Sequence, residues 1–158
     1  TVLAHFPFLG VTFGIPGKFL PTKKLVGWDS LGELVDTKLA STFPVENPFV
    51  LSDDYEVVSE IAFYSKRRPE VYCDNLDDRR MNQYDIWGGF EKLKDRNALI
   101  VLRDPNKIEK LRSRFSTIEE LPAQPNLRVS YAGTGLRSFY LYRAENYDGS
   151  IPPMPTKR

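Results

Sequence analysis

A chain of 158 residues is long enough for one domain with its own core, and 41% hydrophobic with 27% charged residues describes a globular protein, not a disordered tail. Its 22 Lys and Arg nearly cancel 21 Asp and Glu, so the broad basic field that nucleic-acid binding exploits is missing and nucleic acid is not an expected partner. The single cysteine, Cys73, excludes an internal disulfide and leaves the redox compartment open.

The chain begins at Thr1 with no initiator methionine, which points to a piece of a longer protein or a processed product. No charged-then-apolar-then-small pattern of a signal peptide opens it. Residues 1–20, TVLAHFPFLGVTFGIPGKFL, are strongly apolar but interrupted at Pro7, Gly10, Gly14, Pro16 and Gly17. A spanning helix needs about 20 continuous apolar residues, so this stretch does not read as one. Composition favours an arm over residues 1–26, extended on the domain's own core; the alternative is a segment lying beside a membrane.

From Gly27 the pattern changes. GWDSLGELVDTKLAS places Trp28, Leu31, Leu34, Val35 and Leu39 on one helical face, with Ser30 and Glu33 at capping-box spacing near the start. PFVLS is an apolar run of strand length, followed at once by Asp53 and Asp54. YEVVSEIAFYSK returns to helical spacing through Val57, Val58, Ile61 and Ala62, and either aspartate is placed to cap that helix. EVYC predicts a second strand, residues 90–93 a short helix, and NALIVL the clearest buried strand. DPNKIEKLRSRF predicts a helix with Asp104 as cap, Pro105 in the first turn, and Ile108, Leu111 and Phe115 facing inward. NLRVSY and SFYLYR alternate around AGTGLR, the pattern of an antiparallel hairpin with a glycine turn. The tail, residues 146–158, is proline-rich and expected to be irregular.

Helices alternating with short apolar strands predict a single α/β domain over residues 27–145. Its expected form is a three-layer sandwich with a mostly parallel sheet and a C-terminal antiparallel hairpin.

Several chemistries lack their residues. The only histidine, His5, lies in the apolar arm, away from any partner for a catalytic triad. Histidine and cysteine are too few for the common metal sites, and no cofactor is implied. Gly133-Thr134-Gly135 falls between two strands rather than between strand and helix, so a hairpin turn explains it better than a phosphate loop. Cys73 ends an apolar strand, the setting of a buried structural thiol.

What remains sits where open α/β sheets bind ligands, beyond the carboxyl ends of their strands. Asp53, Asp54 and Tyr55 follow the first strand, and RRMNQYDIWGGF, residues 79–90, follows the second. That loop has no helical or strand period, yet it concentrates polar and aromatic groups. Arg79 and Arg80 have planar forks suited to phosphate or carboxylate. Asn82, Gln83 and Asp85 offer the donors and acceptors that sugar hydroxyls need, and Tyr84 and Trp87 offer flat faces for a sugar ring. Each also has a structural reading. Arg79 or Arg80 can pair with Asp53, Asp54 or Asp85 to pin the loop, and Trp87 reads better as core packing than as a ligand platform. Adjacent carboxylates such as Asp53 and Asp54 do not establish the separation that glycoside hydrolysis requires.

Taken together, GWDSLGELV, PFVLSDDYEVVSEIAFY, PEVYCDN, RRMNQYDIWGGF and ALIVLRD resemble the soluble C-terminal region of bacterial membrane glycosyltransferases related to the dolichyl-phosphate-mannose protein mannosyltransferases. The lipid A aminoarabinose transferases belong to the same broad class. The resemblance spans roughly residues 20–143, and SDDYEVVSEIAFY and RRMNQYDIW are its most specific parts. It implies a domain on the periplasmic side of the inner membrane, following a transmembrane bundle in the same polypeptide, and recasts residues 1–26 as a juxtamembrane arm leaving the last span near the lipid headgroups. It also implies a parent enzyme that transfers sugar from a polyprenyl-phosphate carrier, with a catalytic loop that no part of this chain matches. The chain is therefore expected to be catalytically silent alone. Its expected partners are the transmembrane portion and a lipid-linked sugar or a glycan or protein acceptor. The resemblance assigns no role to the Asp53 or residue 79–90 groups. Two other expectations stand beside this one: a structural docking domain with no ligand, and an independent α/β enzyme using the Asp53 crevice.

Overall fold

The structure, a computed structural model, describes residues 27–122, 128–131 and 134–157. The apolar arm, His5 and Gly133 lie outside the described residues.

Helix α1 (Trp28–Thr42) buries Trp28, Leu31, Val35 and Leu39, the face that the spacing predicted. It starts earlier than the Ser30–Glu33 spacing suggested. Gly27 precedes it in the left-handed region (φ 84°) without a side-chain cap, because burying Trp28 draws the helix back past Ser30. Strand β1 (Phe49–Ser52) is buried at every residue. Helix α2 (Tyr55–Tyr64) follows, capped by Asp54, one of the two aspartates expected there, whose Oδ1 accepts from Glu56 N at 2.9 Å. It turns Val57, Val58 and Ile61 inward. The two helices touch at Gly32. A Cβ there would lie 2.8 Å from the Tyr64 carbonyl carbon, so only glycine permits this approach.

Strand β2 (Val71–Cys73) returns parallel to β1, and β3 (Ala98–Leu102), buried throughout, pairs parallel on the other side of β1. Beyond β3 the mostly parallel expectation fails. Strand β7 (Tyr140–Tyr147) runs antiparallel to β3 and β4 (Phe115–Glu120) antiparallel to β7, giving a mixed five-stranded sheet in the order β2-β1-β3-β7-β4 whose longer ladders are antiparallel. The reason lies in DPNKIEKLRSRF. A parallel return needs a crossover of a dozen or more residues, usually helical. Here residues 105–110 and 112–114 instead form short 3-10 turns, and Phe115 already opens β4. Asp104 caps as predicted, accepting from Asn106 N at 3.0 Å, and Pro105 sits in the first turn. Ile108 and Leu111 are three apart, one 3-10 turn, so both still reach the core.

The predicted hairpin also divides. β5 (Arg128–Tyr131) pairs with β6 (Thr134–Ser138) as a separate two-stranded sheet, while the second half of SFYLYR enters the main sheet. The break falls at Phe139, which is buried with its ring centroid 6.3 Å from that of Trp28.

Both faces of the sheet are covered. One apolar cluster joins α1 and α2 to Val50, Leu99, Val101 and Leu141. The other packs Leu51, Ile100 and Tyr142 against Phe90, Leu93, Ile108 and Leu111 from the 3-10 turns. The irregular tail, expected from residue 146, begins only after β7 ends at Tyr147, and residues 148–157 are tied down. Asn75 Nδ2 donates to Pro153 O at 2.9 Å, Thr156 N and Oγ1 donate to Asp78 at 2.7 and 2.6 Å, and Met81 N donates to Lys157 O at 3.2 Å. No helix among the described residues is long and apolar enough to cross a membrane.

Gly32→Ala pits helix propensity, worth about 1 kcal/mol to alanine, against overpacking, which costs about 1–3 kcal/mol. The contact is to backbone, which cannot step aside, so the substitution is expected to lower the urea midpoint; a raised midpoint would contradict the close approach of the helices.

Candidate functional site

The carboxyl ends of β1, β2 and β3 open together, as parallel pairing requires, and the segments leaving them form a cleft of about 280 Å³. Asp53, Asp54 and Tyr55 line it from β1, Leu76, Asp77 and Arg79 from β2, and Lys107 from beyond β3. Its charges are already matched. Lys107 Nζ bridges Asp53 and Asp77, lying 2.7 Å from the latter, and Lys110 also reaches Asp77. Burial works against the Lys107 charge, but the Asp53 and Asp77 carboxylates outweigh it and hold the ammonium well above its ordinary range. Arg103 spans Asp54 at 3.0 Å and Glu56 at 2.7 Å. Asp53 and Asp54 thus hold the ends of β1 and β3 together, and Tyr55 stands exposed at the rim.

The residue 79–90 segment is more ordered than its lack of period suggested. Asn75 Oδ1 accepts from Arg79 N at 3.1 Å. The Arg79 guanidinium then forks onto Asp85, with Nη1–Oδ2 at 2.7 Å and Nη2–Oδ1 at 2.8 Å. Asp85 Oδ2 also accepts from Asn82 N at 2.8 Å, and Asn82 Oδ1 accepts from Tyr84 N at 2.9 Å. This is a capping box around a one-turn helix, α3 (Gln83–Trp87). The signal was in the sequence, as Asn82 and Asp85 three apart, with aspartate in place of the usual Glu or Gln. Burial opposes the Asp85 charge, yet Arg79 and the Asn82 N–H together keep its carboxyl below the ordinary range. Of the open alternatives for Arg79, the structure realises the salt bridge with Asp85.

Trp87 corrects the expectation of core packing: it is 67% exposed, and Ile86 beside it is exposed too. A single helical turn cannot bury residues on all sides, and here Asp85 takes the inward position. Tyr84 meets Trp87 edge to face, centroids 5.2 Å apart, and its hydroxyl lies 3.1 Å from Ser59 Oγ on α2. Both rings line a second cleft of about 240 Å³, together with Glu70, the edge strand β2 (Val71–Cys73) and Phe90. Gly88 and Gly89, at φ 59° and 93°, turn the chain back beneath α3. Arg80 and Gln83 are exposed, and neither they nor Asn82 and Asp85 line either cleft.

The ten predicted residues therefore separate. Asp53, Asp54, Tyr55 and Arg79 share one cleft, Tyr84 and Trp87 another, and Asn82 and Asp85 build the turn between them. Sequence reading missed Tyr72, Phe90, Asp77 and Lys107, whose roles depend on neighbours distant in the chain. It also missed Asp74. That side chain is fully buried, paired through Oδ2 with Arg114, and its Oδ1 has no hydrogen-bond partner among the described residues. Burial, only partly offset by Arg114, pushes its carboxyl up to about 6. Cys73 is buried as expected; burial raises its thiol to about 12 despite Arg79 Nη2 at 3.4 Å, which suits a structural role. The described residues contain no cluster of His, Cys, Asp and Glu that could hold a metal ion.

Removing one partner of a buried ion pair strands the other, so Arg79→Ala is expected to destabilise the chain by about 3 kcal/mol. Arg79→Lys cannot reproduce the fork and should recover little of that; a denaturation midpoint unmoved by either change would refute the pin. Asp74 gives a pH signature. Its folded carboxyl lies above the unfolded value, so the folded state takes up a proton first as pH falls. The stability of the wild type relative to Asp74→Asn should therefore rise from about pH 7 to about pH 5, and a fall in urea titrations would contradict the raised carboxyl.

Comparison with known protein families, with curated proteins and with solved structures gives no match for this chain.

Proposed function

We propose that this chain is an extramembranous accessory domain of a polyprenyl-phosphate-sugar-dependent membrane glycosyltransferase. In this reading it helps bind or orient the acceptor or the lipid-linked sugar and is not itself catalytic. The likeness of its quoted stretches to that class motivates the reading. One observation carries the ligand-handling part: exposed Trp87 and half-buried Tyr84 line a cleft together, on a turn whose capping box and ion pair come from other residues.

Aromatic faces presented in this way suit the apolar face of a sugar ring, and nearby groups suit its hydroxyls. Glu70, Tyr72 and Tyr84 line the cleft with their polar groups, the Tyr72 hydroxyl donating to Glu70 at 3.4 Å. Arg79 is no longer the cation of choice for phosphate, because its fork is filled by Asp85. Arg80 makes no ion pair among the described residues, so a phosphate would meet it first. A second reading, a docking domain with no ligand, draws on Arg79, Asn82 and Asp85, all of which are occupied in building the loop.

Ligand-observed NMR with sugar phosphates and short glycans separates the two. The expected outcome is saturation transfer to the sugar that disappears in Trp87→Ala and weakens in Arg80→Ala for phosphorylated sugars only. Trp87 is exposed, so the variant should keep the wild-type midpoint. Silence from the wild type, or transfer indifferent to Trp87→Ala, would leave the docking reading in possession.

A further inference from the structure

We propose that the C-terminal end of α2, with the turn that follows, is a docking surface for an anionic lipid bilayer. Phe63 is 73% exposed and Tyr64 38%, and their rings meet edge to face with centroids 4.9 Å apart. Folding does not require them outside, because α2 already buries Val57, Val58 and Ile61 against the sheet. Directly after them come Lys66, Arg67 and Arg68, all exposed. None of the three makes a side-chain ion pair among the described residues.

The carboxylates around them are engaged elsewhere. Asp36 accepts Ser65 Oγ at 2.5 Å, Lys66 N at 2.8 Å and Arg67 N at 3.3 Å, so it fixes the turn through neutral donors and makes no ion pair with the three cationic side chains. Glu70 is held by Arg96 at 3.0 Å. Glu60, one helical turn before Tyr64, makes no ion pair with the three cations; burial and the neighbouring Glu56 charge raise its carboxyl, against a smaller opposing pull from Arg137. With three cations beside the Asp36 carboxylate, the patch keeps a net positive charge in an otherwise balanced molecule.

It is also held firmly. Gly32 presses α1 against the Tyr64 and Ser65 backbone, and the Asp36 bonds fix the next residues, so docking requires little ordering of the chain. Aromatic rings at headgroup depth beside lysine and arginine are the chemistry of a membrane interface, and the charge selects anionic over neutral lipid. Three clustered cations on a near-neutral chain offer few of the phosphate contacts that nucleic-acid binding accumulates. This surface is separate from the Tyr84–Trp87 cleft and does not depend on what that cleft binds.

Vesicle co-sedimentation of the whole chain tests it, using phosphatidylcholine vesicles with and without phosphatidylglycerol at low and high salt. Each cation near an anionic surface strengthens adsorption roughly fivefold, so Lys66→Ser, Arg67→Ser and Arg68→Ser together should weaken binding about a hundredfold. Phe63→Ser should weaken it further, and Trp87→Ala should leave it unchanged. The wild type should release at high salt, a result that needs no variant. The proposal falls if the triple variant sediments like the wild type, if phosphatidylglycerol makes no difference, if the wild type stays in the supernatant at low salt, or if duplex DNA captures the chain in preference to vesicles. Sedimentation driven by the apolar arm alone would appear as the first of these.

Discussion

Strands β1 and β3 have every residue buried, and the need to cover both of their faces governs the rest of the molecule. Strands buried on both sides read as continuous apolar runs and are stable only with a layer on each side. On one side α1 and α2 supply it, packed so closely at Gly32 that their backbones touch. On the other, the chain covers the sheet with 3-10 turns, which present Phe90, Leu93, Ile108 and Leu111 in short lengths of chain. Because those turns cannot act as long crossovers, the sheet is completed by antiparallel strands. The parallel half alone keeps its carboxyl ends together, and the clefts open there and along β2.

At that end, polar residues divide between construction and presentation. The Arg79–Asp85 fork, the Asn82 cap and the Lys107 bridge across Asp53 and Asp77 are construction: each satisfies a charge or backbone group that would otherwise be stranded. Surface ion pairs contribute little individually, but the Arg79–Asp85 pair is largely shielded from water and fixes a turn that has no other core. Once that turn is fixed, Trp87 is left exposed on the cleft, while Tyr84 beside it is half-buried and bonded to Ser59. The tail strengthens the same region by bonding Asn75, Asp78 and Met81, so the most chemically varied loop in the chain is also one of its most tethered.

The exposed end of α2 follows the same division. Asp36 bonds the Ser65 hydroxyl and the turn's backbone, and the cations that follow are exposed and outside its ion pairing. Two surfaces thus carry groups that the fold does not use, the aromatic cleft beside β2 and the aromatic and basic end of α2. They are joined mechanically, since the Tyr84 hydroxyl meets Ser59 on α2.

Local chemistry determined a good part of this protein. The buried runs FVLS and ALIVL, the Asp54 and Asp104 caps, the inner faces of α1 and α2, and the meeting of residues after β1 and β2 were all legible. Each depends on period, capping or strand direction, which operate over a few residues. The capping box of α3 was legible too, but was hidden by its brevity. Tertiary structure alone decided the antiparallel half of the sheet, the split of SFYLYR at Phe139, the partner of Arg79, the exposure of Trp87 and the burial of Asp74. These depend on which distant segments compete for the same sheet face or the same charge. An ion pair or a strand partner is a property of two places in the chain, and spacing along one of them does not name the other.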